Sequence, residues 1–177
     1  DLNRDLLRDA AEQVQKQADG LPVYYTEWNG CATFGAPGND TRKVAAYDVR
    51  AALSAEDFID GSSIWCFSDI FEEIHPFPEE FHGGYGLVTQ HGIAKPLFHA
   101  LRLLGQAGDK RLELPGALDG EVSVAAFRDA ADTQLTVLAT KQNLHHFAGQ
   151  STPATPVEIE VELGAKPQSV QLCRIDE

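Results

Sequence analysis

Between residues 1 and 108 the sequence offers only two strand-like runs, and a helical run separates them. The first, Leu21-Pro22-Val23-Tyr24-Tyr25-Thr26, is rich in β-branched and aromatic residues and reads as a buried strand. Pro22 stands at its start, where a missing N–H is tolerated. The second is Ser62-Ser63-Ile64-Trp65-Cys66-Phe67-Ser68. Helical spacing of Leu2, Leu6, Leu7, Ala10, Ala11 and Val14 marks a helix over residues 1–18, stopped by Asp19-Gly20. Val44, Ala45, Val49, Ala52 and Leu53 mark another over 41–58, and a third covers 94–104. Strands joined by a helix pair in parallel through a right-handed crossover. Two of them neither close a barrel nor make a stable open sheet, and a complete (β/α)₈ barrel takes about 250 residues. Residues 1–108 therefore read as part of a barrel or of a doubly wound sheet.

Past Gly108 the pattern changes. Residues 121–127, 133–140, 157–163 and 169–175 all read as strands, with no helical pattern between them. Val157-Glu158-Ile159-Glu160-Val161-Glu162-Leu163 alternates without a break, which predicts one buried and one wet face. This second half, 109–177, reads as an antiparallel β-sandwich. The fold class is thus α/β plus all-β, with the boundary near Gly108.

Charge limits the partners. In 177 residues, 14 basic side chains face 27 acidic ones, a net charge of -13. Such a surface repels phosphate backbones and anionic lipids, so neither nucleic acid nor a membrane is expected as partner. No apolar run approaches the length of a bilayer span. A neutral ligand such as a sugar meets no such repulsion. The chain contains no Met and begins at Asp1, as expected of an excerpt or a processed product of something longer. Cys31, Cys66 and Cys173 are widely spaced, form no C-x-x-C pair and read as buried or loop thiols, which leaves the compartment open.

Two places carry candidate chemistry. Glu27 stands where the first strand ends, and (β/α)₈ enzymes keep their catalytic groups on that rim. Tyr25, Trp28 and Asn29 lie beside it: an aromatic ring offers a sugar an apolar face, and Asn can hydrogen-bond a hydroxyl. A solvated glutamate ending a strand would look the same. Glu72 and Glu73 follow the second strand after Asp69-Ile70-Phe71. In a parallel pair they share the rim with Glu27, where adjacent carboxylates can hold sugar hydroxyls by charge-assisted hydrogen bonds. An ordinary acidic loop is the alternative. His75 and His82 lie in the long loop 69–91, and His145-His146 beside a turn; with no H-E-x-x-H, structural or solvated roles are expected and no metal. No Walker pattern or G-x-S-x-G elbow occurs, and no cofactor is expected.

The string Leu21-Pro22-Val23-Tyr24-Tyr25-Thr26-Glu27-Trp28-Asn29 resembles the nucleophile strand of glycoside hydrolase family 39, whose best-known members are β-xylosidases. Trp65-Cys66-Phe67-Ser68-Asp69-Ile70-Phe71-Glu72-Glu73 fits the same family, as do Phe81-His82-Gly83-Gly84-Tyr85-Gly86-Leu87 and Gly92-Ile93-Ala94-Lys95-Pro96. The ordered set spans residues 21–104. The resemblance implies a (β/α)₈ TIM barrel with an accessory β-sandwich, in which 22–27 and 62–68 are the seventh and eighth strands. It implies Glu27 as catalytic nucleophile, Trp65 as part of the xylose-binding wall, and Glu72 and Glu73 as contacts to substrate hydroxyls.

The family is similar in its need for a second carboxyl group, an acid/base in an Asn-Glu-Pro-like motif after the fourth strand. No Asn-Glu pair occurs in this sequence. The resemblance thus implies the C-terminal part of a β-xylosidase, inactive alone, whose partners are a xylo-oligosaccharide or other neutral glycoside and the missing N-terminal barrel segment. Exposed parallel edges would otherwise call for another chain or a homo-oligomer. Two alternatives stay open: a non-catalytic carbohydrate-binding or assembly module, and a related glycosidase such as an α-L-iduronidase or an arabinosidase. Iduronate would want an Arg or Lys at the rim, and 27–30 and 69–75 contain neither.

Overall fold

In the computed structural model, residues 3–70, 77–142, 156–164 and 166–175 are described. Helix α1 covers Leu6–Gln17 and ends where Asp19 (φ 49°) and Gly20 (φ 80°) turn left-handed. Strand β1 is Tyr24–Trp28. Helix α2, Arg42–Ala55, starts at Thr41, whose hydroxyl accepts the Lys43 N–H at 3.3 Å. A 3₁₀ turn, Glu56–Phe58, leads to strand β2, Gly61–Ile64. Helix α3, Pro96–Gly105, has proline at its first position, where no N–H is needed. Strands β3 (Lys110–Leu112), β4 (Val122–Arg128) and β5 (Leu135–Lys141) follow.

β1 and β2 pair in parallel, as the helical crossover demands. The other three form an antiparallel sheet in the order β3-β4-β5. The chain is thus a mixed α/β structure, with two small sheets among the described residues. α2 packs against α1, α3 and β5. Its Val44, Ala45, Val49 and Leu53 pack with Leu97 and Ala100 of α3 and with Ala107, Ala125 and Phe127, so one core runs across Gly108. Burying each of the Val, Leu and Phe side chains in this set is worth roughly 1.5–3 kcal/mol. Polar pins join the same surfaces. Arg111 donates to Leu53 O at 2.8 Å and Gln142 Nε2 to Ala46 O at 2.9 Å. The buried Arg50 donates to Leu118 O from both Nε (3.1 Å) and Nη2 (2.8 Å). Among the described residues, no helix is long and apolar enough to cross a bilayer.

Three expectations need correction. First, β1 is not buried: its neighbour on one side is β2, no described strand pairs with its other edge, and Tyr24 is 62% exposed. A fully buried parallel strand needs cover on both faces, which a two-stranded sheet does not provide. Second, the strand expected over 62–68 leaves β1 after Ile64. Residues 66–69 turn instead to the returning loop, with Cys66 N–H donating to Tyr85 O (3.1 Å) and Asp69 N–H to Val88 O (2.9 Å). Third, 157–163 and 169–175 are not strands. Val157, Ile159, Val161 and Leu163 are exposed alongside the glutamates between them. Alternation supplies a face to bury, but a strand exists only beside a partner, and no described segment pairs with these.

Candidate active site

The parallel pairing brings the C-terminal ends of β1 and β2 together. Tyr24 stands opposite Gly61 and Tyr25 opposite Ser62, but the next partners are Trp28 and Ile64. β1 therefore carries one extra residue at Thr26-Glu27, a bulge, and bulges re-aim the side chains they contain. Glu27 is exposed there. Trp65, the first residue past β2, donates its N–H to Trp28 O at 2.8 Å and keeps 37% of its surface exposed. The peptide between Trp65 and Cys66 is cis. Asn29 Nδ2 donates to Trp65 O at 3.1 Å, while its Oδ1 accepts the Cys31 N–H at 3.1 Å. Glu27, Asn29 and Trp65 thus meet at one end of the sheet, with Asn29 serving as a strap between the strands. Glu72 and Glu73 lie outside the described residues, as do His75, His145 and His146.

Around this end runs the loop that returns from residue 77 to α3. Its aromatic groups pack on the loop after β1. Phe77 stacks on His82 with centroids 4.3 Å apart, and Phe34 meets the Tyr85 ring edge-on at 5.2 Å. The Tyr85 hydroxyl donates to Ala32 O at 2.7 Å. His82 packs within this cluster, and its buried Nδ1 has no hydrogen-bond partner among the described residues. Beside this cluster lies an open hollow of about 430 Å³, lined by Gly35, Pro37, Asp40, Thr41, Phe81, His82 and Gly83. Neither Glu27 nor Trp65 lines it.

Sequence reading missed two features here. One is an ionic cluster behind the glycine loop: Lys95, Asp40 and Asp69 are buried together, with Lys95 Nζ 2.5 Å from Asp40 Oδ1 and 2.6 Å from Asp69 Oδ2. A lysine directly ahead of Pro96, in a run already noted for its resemblance, was the available signal; its partners are too distant in sequence to be guessed. The other is Asp48 on the inner face of α2. It is wholly buried, and neither carboxylate oxygen has a hydrogen-bond partner among the described residues. Desolvation pushes its pKa well above the usual carboxylate range. Asp48 sits under Gly30, where a Cβ would lie 2.6 Å from Oδ1. The Trp28 indole N–H is likewise buried with no acceptor among the described residues.

Comparison with known proteins bears on this arrangement. The family described as glycosyl hydrolases family 39 matches residues 3–177. A β-xylosidase of Caldicellulosiruptor saccharolyticus is 40% identical over 158 residues, 86% of this chain and 30% of that protein. A β-xylosidase of Geobacillus stearothermophilus is 40% identical over 111 residues, 63% of this chain and 21% of its own length. Among solved structures, a monomeric β-xylosidase from Caulobacter crescentus CB15 superposes with a TM-score of 0.71 at 28% identity, covering 88% of this chain and 33% of that one. The chain spans at most about a third of the length of each of these relatives.

Proposed function

The chain belongs to glycosyl hydrolase family 39, and from that premise we propose that it supplies the nucleophile side of a retaining β-xylosidase. In this reading residues 1–108 are the last two strand–helix units of a (β/α)₈ barrel, and residues 109–177 belong to an accessory β-sandwich. Barrel strands from outside this chain would pair with the open edge of β1 and cover the faces left exposed. The observation that carries the proposal is the junction of Trp28, Asn29 and Trp65, which sets Glu27 and Trp65 at the same ends of two parallel strands. The names of the relatives supply the sugar. Charge agrees with a neutral one, because the buried Lys95 already has its charge matched by Asp40 and Asp69.

The chemistry follows from the geometry of retaining hydrolysis. The Glu27 carboxylate attacks the anomeric carbon, and the bond to the leaving oxygen breaks as a second carboxylic acid, outside this chain, gives that oxygen its proton. The resulting glycosyl ester is then hydrolysed by water that the same second group deprotonates, which releases xylose and regenerates Glu27. The two carboxyl groups of such enzymes stand about 5–5.5 Å apart. Trp65 forms one wall of the sugar pocket, Asn29 and the Glu72-Glu73 pair bind hydroxyls, and no cofactor takes part.

The test is hydrolysis of an aryl β-xyloside and of xylobiose by the complete polypeptide that contains these residues, before and after Glu27→Gln. Turnover should fall by on the order of 10⁴ or more, and a fluorinated xyloside should label the peptide bearing Glu27. Unchanged turnover removes Glu27 as nucleophile. Residues 1–177 alone should bind the sugar weakly and hydrolyse nothing; full activity of that piece would overturn the dependence on an outside acid/base.

A further inference from the structure

Lys95 precedes a proline, so its backbone is held extended (φ -85°, ψ 165°), and its N–H donates to Leu87 O at 2.9 Å. From that fixed stem the side chain runs inward until 1% of it is exposed. Its ammonium meets Asp40 and Asp69, described above, and also donates to Gly84 O at 3.1 Å. Each carboxylate holds the glycine loop a second time. Asp40 Oδ2 accepts the Gly83 N–H at 2.5 Å, and Asp69 Oδ1 accepts the Gly86 N–H at 2.8 Å. Three segments therefore meet on one ammonium: the end of the loop after β1, the turn after β2, and the glycine loop.

Burying such a cluster is a poor route to stability. Desolvating the ions offsets most of their attraction, and apolar replacements of buried ion clusters are often as stable or more so. What a buried, directional cluster does provide is a fixed geometry. The segment from Trp65 to Asp69 is tied at both ends. Trp65 is bound to Trp28 and Asn29 on the β1 side, and Asp69 to Lys95 on the other. Between them the Cys66 and Phe67 carbonyls accept the N–H groups of Leu87 and Val88, at 3.0 and 3.1 Å, which leaves the segment no slack.

We propose that Lys95, acting through Asp40 and Asp69, is a positioning residue for the hydrolytic site, setting where the Trp65 wall stands against the end of β1. This rests on the glycosidase reading given above. Lys95 touches no sugar; its effect passes through the segment it anchors.

The test uses the complete polypeptide. Lys95→Met alone leaves two buried carboxylates facing each other and risks unfolding. The informative variant is the neutral triple Asp40→Asn, Asp69→Asn, Lys95→Met, which keeps acceptors for Gly83 and Gly86 but removes the cross-link. The triple variant should stay folded with a thermal midpoint near the unsubstituted protein's. Its kcat/KM on an aryl β-xyloside should fall on the order of 10- to 100-fold through misplacement of the pocket wall, and the Trp65, Cys66 and Asp69 amides should exchange faster. Unchanged kcat and KM in the folded triple variant, or a loss that only tracks the unfolded fraction, overturns the proposal. If the unsubstituted protein hydrolyses no xyloside, the glycosidase reading falls by that result. Amide exchange tells the two failures apart: unchanged rates at Trp65, Cys66 and Asp69 overturn the anchoring of that segment by Lys95 as well, and faster rates leave the anchoring standing while the hydrolytic role is lost.

Discussion

The Trp65 N–H donates to the Trp28 carbonyl at 2.8 Å, so the residue after Glu27 and the residue after β2 are held one hydrogen bond apart. Asn29 doubles that link through its side chain. Replacing Asn29 with Ala removes the bond to Trp65 O and the acceptor for Cys31 N–H. Both are near the surface, so the loss of unfolding free energy should be about 1–2 kcal/mol. KM for an aryl xyloside should rise more than stability falls, because Trp65 loses its second tether. A urea titration beside a KM measurement separates the two effects; an unaltered KM would make Asn29 a purely local turn residue.

Gly86 tests the contact between the glycine loop and the turn after β2. A Cβ there would lie 2.6 Å from Val88 O and closer still to the Asp69 N and Ser68 C atoms, all of them backbone. None of these can rotate away, so Gly86→Ala must part the 66–69 segment from its partner. Overpacking of this kind costs typically 1–3 kcal/mol. The expected signature is lost amide protection at Leu87 and Val88 with α3 unaffected. Gly92→Ala is a suitable control, since a Cβ at Gly92 meets no neighbour within 4 Å and only its left-handed φ of 82° opposes the change.

What could be read beforehand was whatever repeats along one element. Val44, Ala45, Val49 and Leu53 announce the inner face of α2 by spacing alone, and the same residues are the centre of the core. The parallel pairing of β1 and β2 followed from the helix between them. The bulge at Thr26-Glu27 was invisible, because a bulge is defined against the partner strand. The Lys95 cluster was invisible for a related reason: Asp40, Asp69 and Lys95 come from three loops, and no local periodicity links them. β3 has only three residues, too few to show a pattern. The strand expected over 157–163 failed in the opposite way, since alternation states what a strand would bury and not whether a partner is present.

Arg50 should be the most costly single residue to remove from the junction between α2 and the flanking segments. Its guanidinium is buried, donates twice to Leu118 O and once to Arg4 O (2.7 Å), and pairs with Asp5. Arg50→Met leaves two carbonyls without their donors and Asp5 with Arg8 alone as its cation, a loss of about 1–3 kcal/mol for each carbonyl left unsatisfied. Arg50→Lys should recover less than half, because one ammonium cannot reach both carbonyls in the planar fork's geometry. Arg111→Met should cost less, about 1 kcal/mol, since its Glu56 partner is half exposed. Urea midpoints of the three variants test this order; a near-neutral Arg50→Met would mean that the junction relaxes without it.

Asp48 makes the chain's stability depend on pH in a direction opposite to that of a paired carboxylate. Its folded pKa lies well above the ordinary 3.8 because burial penalises the charged form. Below that ordinary value Asp48 is protonated whether the chain is folded or not, and it has no effect on the slope. Above it the unfolded chain releases the proton and the folded chain keeps it. The folded state then binds more protons than the unfolded one, so unfolding free energy falls as pH rises, by about 1.4 kcal/mol per pH unit. The fall continues until the folded pKa is passed and the buried group ionises too. Asp48→Asn removes the titration while keeping the shape of the side chain. The variant should therefore match the unsubstituted protein near pH 3.5 and be the more stable of the two at pH 7. Chemical denaturation at both pH values measures the difference; an equal gap at the two would show that burial leaves the folded pKa of Asp48 at its unfolded value and overturn the prediction.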